Sequence, residues 1–255
     1  MLKIRIIPTL LWKNFGLVKG EAFQSWRRIG TVLPAIKLYN KRDVDELFLL
    51  NIEGNTAGTQ LDYNLIEEFS KSCFVPFSVG GGINGLEEIR MLLSAGADKV
   101  TINTIMYENP DLIDKAAKKY GSQCLVASVD AKLIDGTHCL FSHSGKILRK
   151  KKLESFVKEI ETRGVGEILI TSIDRDGTMK GYDIELINKV TKNANIPVVA
   201  SGGAGSFNDM FKAIHEGGAS AVAAASIFHF TQKTPNEAKE FLHSKGIPVR
   251  LPLDE

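Results

Sequence analysis

Short apolar runs alternate with amphipathic stretches along the whole chain. Eight of these runs are rich in β-branched residues and predict strands, which begin near Ile4, Glu46, Pro76, Asp98, Cys124, Glu167, Pro197 and Ser220. Apolar residues at helical spacing between the runs predict helices over 62–72, 86–93, 112–119, 153–162, 184–190 and 236–242. Strands that alternate with helices are typical of a parallel sheet.

The spacing of the predicted strands repeats in the second half of the chain. Successive starts are separated by about 42, 30 and 22 residues, then by about 26, and then by about 43, 30 and 23. The sequence SVGGGI at 78–83 also corresponds to ASGGAG at 200–205. We therefore predict a single α/β domain over 1–255, a (β/α)8 TIM barrel with a twofold repeat of half-barrels, about 1–122 and 123–255. A doubly wound open sheet is the structural alternative.

Composition and charge narrow the classes of partner. The 255 residues include 32 basic and 30 acidic side chains, and the only dense basic patch is at 149–152, which argues against nucleic acid. The three cysteines and five histidines have no metal-ligand spacing, so we expect no metal and no other cofactor. Lys3, Arg5 and Lys13 interrupt the apolar amino terminus, and no run is long enough to span a membrane. We expect a cytoplasmic protein without a membrane partner.

Two glycine-rich turns follow predicted strands. In a barrel the working face lies at the carboxyl ends of the strands, where glycine turns bring backbone N–H groups close to phosphate. One predicted anion cradle contains Gly81, Gly82, Asn103 and Thr104, and the other contains Asp176, Gly177, Gly202, Gly203, Ala225 and Ser226. A substrate phosphorylated at both ends fits this pair. The alternative is that the glycines only form tight turns.

Carboxylates at the strand ends are candidates for proton transfer. Asp130 ends the fifth predicted strand and is the best candidate for a general acid or base. Asp174 and Asp176 follow the sixth strand, where capping of the next helix is the alternative role. The first strand ends in residues 8–12, PTLLW, without any acid or base.

Four charged residues stand at the starts of predicted strands, at the opposite face of the barrel. Two cations and two anions can close a neutral ring, and the alternative is solvated surface decoration. The residues are Arg5, Glu46, Lys99 and Glu167.

These motifs together resemble one family over essentially the whole chain. The motifs are RIIP at 5–8, VKG at 18–20, SVGGGI, ADKVTINT at 97–104, VDAK at 129–132, GEILITSIDRDGT at 166–178, ASGGAG and ASIFHF at 225–230. The chain resembles the cyclase subunit of imidazole glycerol phosphate synthase. The resemblance implies a barrel that binds a doubly phosphorylated ribulosyl-formimino nucleotide at its carboxyl face. It also implies a glutaminase partner, docked on the amino-terminal face, that supplies ammonia through the barrel.

The resemblance assigns roles to matching residues. It places one phosphate on Gly82, Asn103 and Thr104, and the other on Asp176, Gly177, Gly203, Ala225 and Ser226. Lys19 would lie on a mobile loop after the first strand, and Asp98 would contact the glutaminase. The four charged residues at the strand starts match the family's gate for ammonia.

The chain departs from the family at the mouth of the barrel. Leu11 and Asn51 stand where the family has aspartates, so Asp130 lacks the carboxylate that faces it during cyclisation. The segment 14–15 and the bulky Trp12 replace more polar residues and imply an altered pocket. Loss of one positioned acid or base costs about a hundred- to ten-thousand-fold in rate unless another group, such as Asp176, substitutes.

These departures favour a diverged paralogue that has kept ammonia transport. The resemblance is to cyclase-like subunits found with a glutaminase-like protein and an N-acetyl sugar amidotransferase in surface-polysaccharide synthesis. There, ammonia converts an acetamido group into an acetamidino group. One alternative is an authentic cyclase of histidine biosynthesis. Another is a non-catalytic scaffold subunit that keeps the phosphate sites and the subunit contacts.

Overall fold

The computed structural model describes residues 2–13, 16–53 and 61–251. Within these ranges twelve strands and ten α-helices follow one another. The strands are β1 (Arg5–Lys13), β2 (Gly16–Glu21), β3 (Gln24–Gly30), β4 (Leu47–Asn51), β5 (Phe77–Gly80), β6 (Lys99–Ile102), β7 (Leu125–Ile134), β8 (Thr137–Ser142), β9 (Ile147–Lys152), β10 (Glu167–Ser172), β11 (Val198–Ser201) and β12 (Ala221–Ala224). The helices are α1 (Val32–Lys41), α2 (Tyr63–Lys71), α3 (Leu86–Ser94), α4 (Ile105–Glu108), α5 (Asp111–Tyr120), α6 (Leu153–Thr162), α7 (Ile184–Thr191), α8 (Phe207–His215), α9 (Ser226–Phe230) and α10 (Pro235–Ser244).

Eight of the strands form a closed parallel barrel in the order β1, β4, β5, β6, β7, β10, β11, β12. The barrel closes because β12 pairs with β1, with Arg5 opposite Ala221. The two halves meet where β6 pairs with β7 and where β12 pairs with β1. The TIM barrel prediction is confirmed, and the open-sheet alternative is wrong.

Alternation along the strands divides the core into two parts. Every second side chain points into the barrel, where Ile7, Phe48, Val126, Leu169 and Val199 form a fully buried apolar layer. The intervening side chains point outwards and pack against the helices in a second, larger cluster. The inward-facing series of each strand therefore connects the amino-terminal face to the mouth.

Two antiparallel hairpins, which the sequence did not predict, interrupt the barrel pattern. Strands β2 and β3 follow β1, while β8 and β9 follow β7, so each half-barrel begins with a strand and a hairpin. The outer strands β3 and β9 are mostly exposed and lack the apolar pattern that predicts a strand. Lys19 follows β1, as expected, but it lies within β2 of a hairpin; the mobility of this segment stays a prediction.

Helices α1 and α8 were also missed. Pro34 lies in the first turn of α1, where its lack of an N–H donor costs no intrahelical hydrogen bond. A capping box between Ser206 and Asp209 starts α8. Across the described part of the chain, none of the helices has the length and apolar character needed to cross a bilayer.

Candidate functional site

A cavity of about 590 Å³ opens at the carboxyl ends of the barrel strands. Both glycine-rich turns, the ends of the barrel strands and both hairpins contribute to its wall. The cavity is lined by the residues predicted to act there, namely Lys19, Gly81, Gly82, Asn103, Thr104, Asp130, Asp176, Gly177, Gly202, Gly203, Ala225 and Ser226. Small-molecule sites have this size and this concave, partly apolar character.

Asp130 is a buried carboxylate on the polar wall of the cavity. Its Oδ2 accepts a hydrogen bond of 2.8 Å from the amide of Asn103. Burial, together with the charge of Asp176, raises the pKa of Asp130 to about 7, although hydrogen bonds from Asn103 and Ser128 act in the opposite direction. A carboxyl group with this pKa exchanges protons near neutral pH, as a general acid or base must.

Lys19 and Asp176 form a second titratable pair beside Asp130, with Lys19 buried and Asp176 half-buried. Burial lowers the pKa of Lys19 to about 8, and the charge of Asp176 offsets only part of that effect. Burial also raises the pKa of Asp176, against the charge of Lys19 and the N–H of Gly177. The β2–β3 hairpin is fixed here because the N–H of Ala22 donates to the carbonyl oxygen of Asp176 at 2.9 Å.

The wall opposite Asp130 contains an apolar pair where the first strand ends. Leu11 pairs in register with Leu50, and both side chains line the cavity. Asn51 has no carboxylate, but its side chain stabilises the turn after β4, because its Oδ1 accepts a hydrogen bond of 3.1 Å from the N–H of Glu53. Besides Asp176, the carboxyl-bearing residues Glu53 and Glu108 also line the cavity.

Trp12 does not shape the cavity, and that expectation was wrong. It points outwards and meets Phe69 edge to face, with 5.9 Å between the ring centroids, because Leu11 takes the inward position of this part of β1. Residues 14–15 lie outside the described residues. Phe23 and Trp26 of the β2–β3 hairpin line the cavity instead. No motif in the sequence indicated that this hairpin contributes to the cavity.

The glycines of the two cradles adopt matching backbone conformations. Gly81 and Gly82 have φ values of 100° and 75°, and Gly202 and Gly203 have values of 85° and 108°. A Cβ at Gly203 would lie 2.2 Å from the carbonyl oxygen of Gly181. The turns therefore require glycine whether or not they bind an anion, so tight turns alone explain these residues equally well.

The four charged residues at the opposite end form a closed ring of ion pairs. Lys99 Nζ lies 2.8 Å from one oxygen of Glu46 and 2.8 Å from one oxygen of Glu167, and Arg5 pairs with the remaining oxygens. Burial acts to raise the pKa of Glu167, but its pairing with Arg5 and Lys99 holds that pKa below the usual value. We call these four residues the ion ring; in this structure they are not separately solvated.

Aspartates that precede ion-ring residues bind neighbouring strands. Asp45, before Glu46, accepts from the N–H of Ile6 at 2.8 Å. Asp98, before Lys99, accepts from the N–H of Phe77 at 2.8 Å while the residue stays exposed. Asp98 thus has a role within the barrel, and its contact with a glutaminase stays a prediction.

Two histidines of the β8–β9 hairpin differ in their surroundings. His143 lines the cavity from the turn of the β8–β9 hairpin, and the sequence did not single it out as a cavity residue. His138 is buried and bonds Asp183 at 3.1 Å. Among the described residues, no group of three or more His, Cys, Asp or Glu side chains could hold a metal ion.

The fold and the cavity define a (β/α)8 barrel with a cavity of small-molecule size at its carboxyl face and titratable groups in the cavity wall. The histidine biosynthesis protein family matches residues 5–234, and the chain belongs to this family.

Three relatives cover almost all of the chain. A Campylobacter jejuni protein, provisionally named imidazole glycerol phosphate synthase subunit hisF2, is 43% identical over 251 residues, which are 98% of this chain and 100% of the relative. Imidazole glycerol phosphate synthase subunit HisF of Natranaerobius thermophilus is 42% identical over 253 residues, with coverage of 98% and 100%. The HisF subunit of Dehalococcoides mccartyi is 43% identical over 251 residues, with coverage of 98% and 99%.

Replacement of Asp130 by Asn tests the electrostatics of the cavity. The pKa of an unfolded aspartate is about 3.9, and that of Asp130 is raised to about 7 in the fold. Its ionisation therefore destabilises the fold as pH rises from about 4 to about 7, by about 4 kcal/mol in total. Asp130→Asn should increase the free energy of unfolding at pH 8 by up to that amount, and the gain should shrink towards zero as pH falls to about 4.

Urea denaturation across this pH range measures the effect. Asp135→Asn, at an exposed turn residue with φ 47°, is the matched control and should change little at any pH. A gain for Asp130→Asn that did not vary with pH would contradict the buried ionisation.

Proposed function

We propose that the chain is a cyclase-like synthase subunit of a glutamine amidotransferase complex. It receives ammonia from a glutaminase subunit at the amino-terminal face and passes it through the barrel to the mouth. The observation that carries the proposal is that the ion ring is complete while Leu11 occupies the position facing Asp130. The amino-terminal face, where ammonia would enter, has the family's four charged residues. The mouth, where ammonia would react, lacks the family's aspartates at positions 11 and 51.

The ion ring has the properties of a gate. It is neutral overall and its carboxylates are buried, so it excludes bulk ions, while a change in one side chain can open a space for a small neutral molecule. Bonds on both oxygens of each carboxylate hold the ring together in this structure. Opening therefore requires a partner that compensates the charges it separates.

The interior beyond the ring suits ammonia better than ammonium. The apolar layer that includes Ile7 and Phe48 disfavours a charged species. Nearer the mouth, inward-facing side chains carry hydroxyl groups. One of them, the Oγ1 of Thr9, is buried and has no hydrogen-bond partner among the described residues. Such a group can accept a hydrogen bond from ammonia or donate one to it.

Two exposed apolar side chains support a protein partner at the amino-terminal face. Phe74 is 82% exposed just before β5, and Leu2 is 89% exposed just before β1. Asn40 holds the turn at Phe74 in place, because its side chain bonds the Phe74 N–H and the carbonyl oxygen of Ser72. Large exposed aromatic residues on a fixed turn are typical of interfaces.

The apolar pair Leu11 and Leu50 leaves the usual cyclisation without one of its two carboxylates. We therefore propose that the ammonia serves amidination of an N-acetyl sugar in surface-polysaccharide synthesis, with a sugar amidotransferase as a second partner. The barrel itself then acts as the conduit.

An authentic cyclase of histidine biosynthesis is the second candidate. Asp176 favours it, because this residue lines the same cavity as Asp130 and is near enough for its charge to raise the pKa of Asp130. Identities of 42–43% to two HisF subunits over nearly their whole length also favour it. In that case Asp176 would act as the second acid or base beside Asp130, and the chain would retain the lyase reaction of cyclisation.

Addition of this chain to its purified glutaminase partner tests the proposal. We expect glutamine hydrolysis to rise by about tenfold or more, which corresponds to about 1.4 kcal/mol or more off the activation free energy. Phe74→Asp should remove most of the rise, because it puts a charge into the interface. Phe230→Asp is the matched control: Phe230 is 41% exposed near the mouth, and this variant should stimulate like the wild type. No stimulation by the wild-type chain would exclude the proposed role.

Complementation of a histidine auxotroph that lacks the cyclase separates the two candidates. We expect no growth with the wild-type chain and restored growth with Leu11→Asp combined with Asn51→Asp, because the double variant returns both carboxylates to the mouth. Protein levels should be matched by immunoblot. Growth with the wild-type chain would establish the authentic cyclase instead.

A further inference from the structure

Each hairpin spans one of the two cradles. The β2–β3 hairpin leaves β1 and reaches the loop after β10, where the N–H of Ala22 bonds Asp176, so it extends over the carboxyl ends of β11 and β12. These ends carry Gly202, Gly203, Ala225 and Ser226. This hairpin brings Lys19 to the cavity.

The β8–β9 hairpin makes the equivalent crossing in the other half-barrel. Its turn bonds the end of β6, because the N–H of His143 donates to Thr104 Oγ1 at 3.1 Å. It also bonds the residue after β4, because Ser144 Oγ donates to the carbonyl oxygen of Ile52 at 2.9 Å. A turn fixed to β4 and β6 must pass over β5 between them, where Gly81 and Gly82 lie. The turn therefore covers the first cradle.

Lys146 is the unbalanced charge on this turn. It lines the cavity and is exposed at its rim, and it has no ion pair among the described residues. The nearby carboxylate of Glu108 is already engaged, by Arg149 at 3.0 Å and by His143 Nε2 at 3.4 Å. Lys19, by contrast, faces Asp176. The first cradle thus has a free cation above its glycines.

We propose that Lys146 binds the anionic group that the first cradle holds, and that the β8–β9 hairpin is the binding wall of that half of the cavity. This inference rests on the proposed function, since it assumes that the mouth still takes an anionic ligand. The two hairpins then act as equivalent covers, each contributing one lysine. The hydroxyl proton of Thr104 stays available to the same ligand, because Thr104 only accepts from His143.

Titration calorimetry with inorganic phosphate on the full chain tests the proposal. We expect Lys146→Gln to weaken one phosphate site by about tenfold, the size of a charged hydrogen bond. Lys146→Arg should keep most of the affinity. Lys150→Gln removes an exposed lysine from the neighbouring strand of the same hairpin and should leave binding unchanged. Thermal unfolding should be the same for all three variants.

Equal affinities of Lys146→Gln and Lys150→Gln would overturn the proposal, and so would a wild-type chain that binds no phosphate. Neither result touches the amino-terminal face, so stimulation of the glutaminase would persist in both cases. Loss of stimulation with intact phosphate binding would instead show that the proposed function fails while the anion site stands.

Discussion

The alternation of side chains in a closed parallel barrel is the constraint on which the rest of this structure depends. Because the strands are paired all round, every second residue must face the interior. Along β1 the inward series runs from Arg5 through Ile7 and Thr9 to Leu11. One strand thus contributes to the ion ring, to the apolar layer and to the floor and rim of the cavity.

This stacking lets the two ends of the barrel change independently. The ion ring depends on four side chains at the strand starts and on the aspartates beside them. The mouth depends on residues several positions further along the same strands. With leucine at position 11 the mouth lacks an acid there, while every bond of the ion ring is kept and Asp130 has a raised pKa beside Asp176.

The sequence was sufficient for the barrel because buried parallel strands give short apolar runs, and because the two halves repeat in length. It was also sufficient to select the cavity residues that follow the barrel strands, since strand ends follow directly from strand positions. It failed at the hairpins, where the outer strands are largely exposed and take their register from the strands beside them. The surroundings of His143 and Lys146 depend on those hairpins.

Trp12 shows the same limit at a single residue. The sequence correctly placed Trp12 near the end of β1. Alternate side chains of a strand face opposite sides, and because Leu11 faces the cavity, Trp12 faces the helices. Conversely, the ion ring could be listed from the sequence but not distinguished from surface charge. Only the bonds between β1, β4, β6 and β10 make that distinction.

Transfer of nitrogen through the barrel can be measured directly in the complete complex. The complex would receive glutamine labelled with nitrogen-15 in its amide, in a large excess of unlabelled ammonium, and mass spectrometry would give the label in the aminated product. If ammonia enters at the ion ring and does not mix with the solvent, as proposed, the product carries the glutamine label. A product with the isotopic composition of the dissolved ammonium would contradict the proposal.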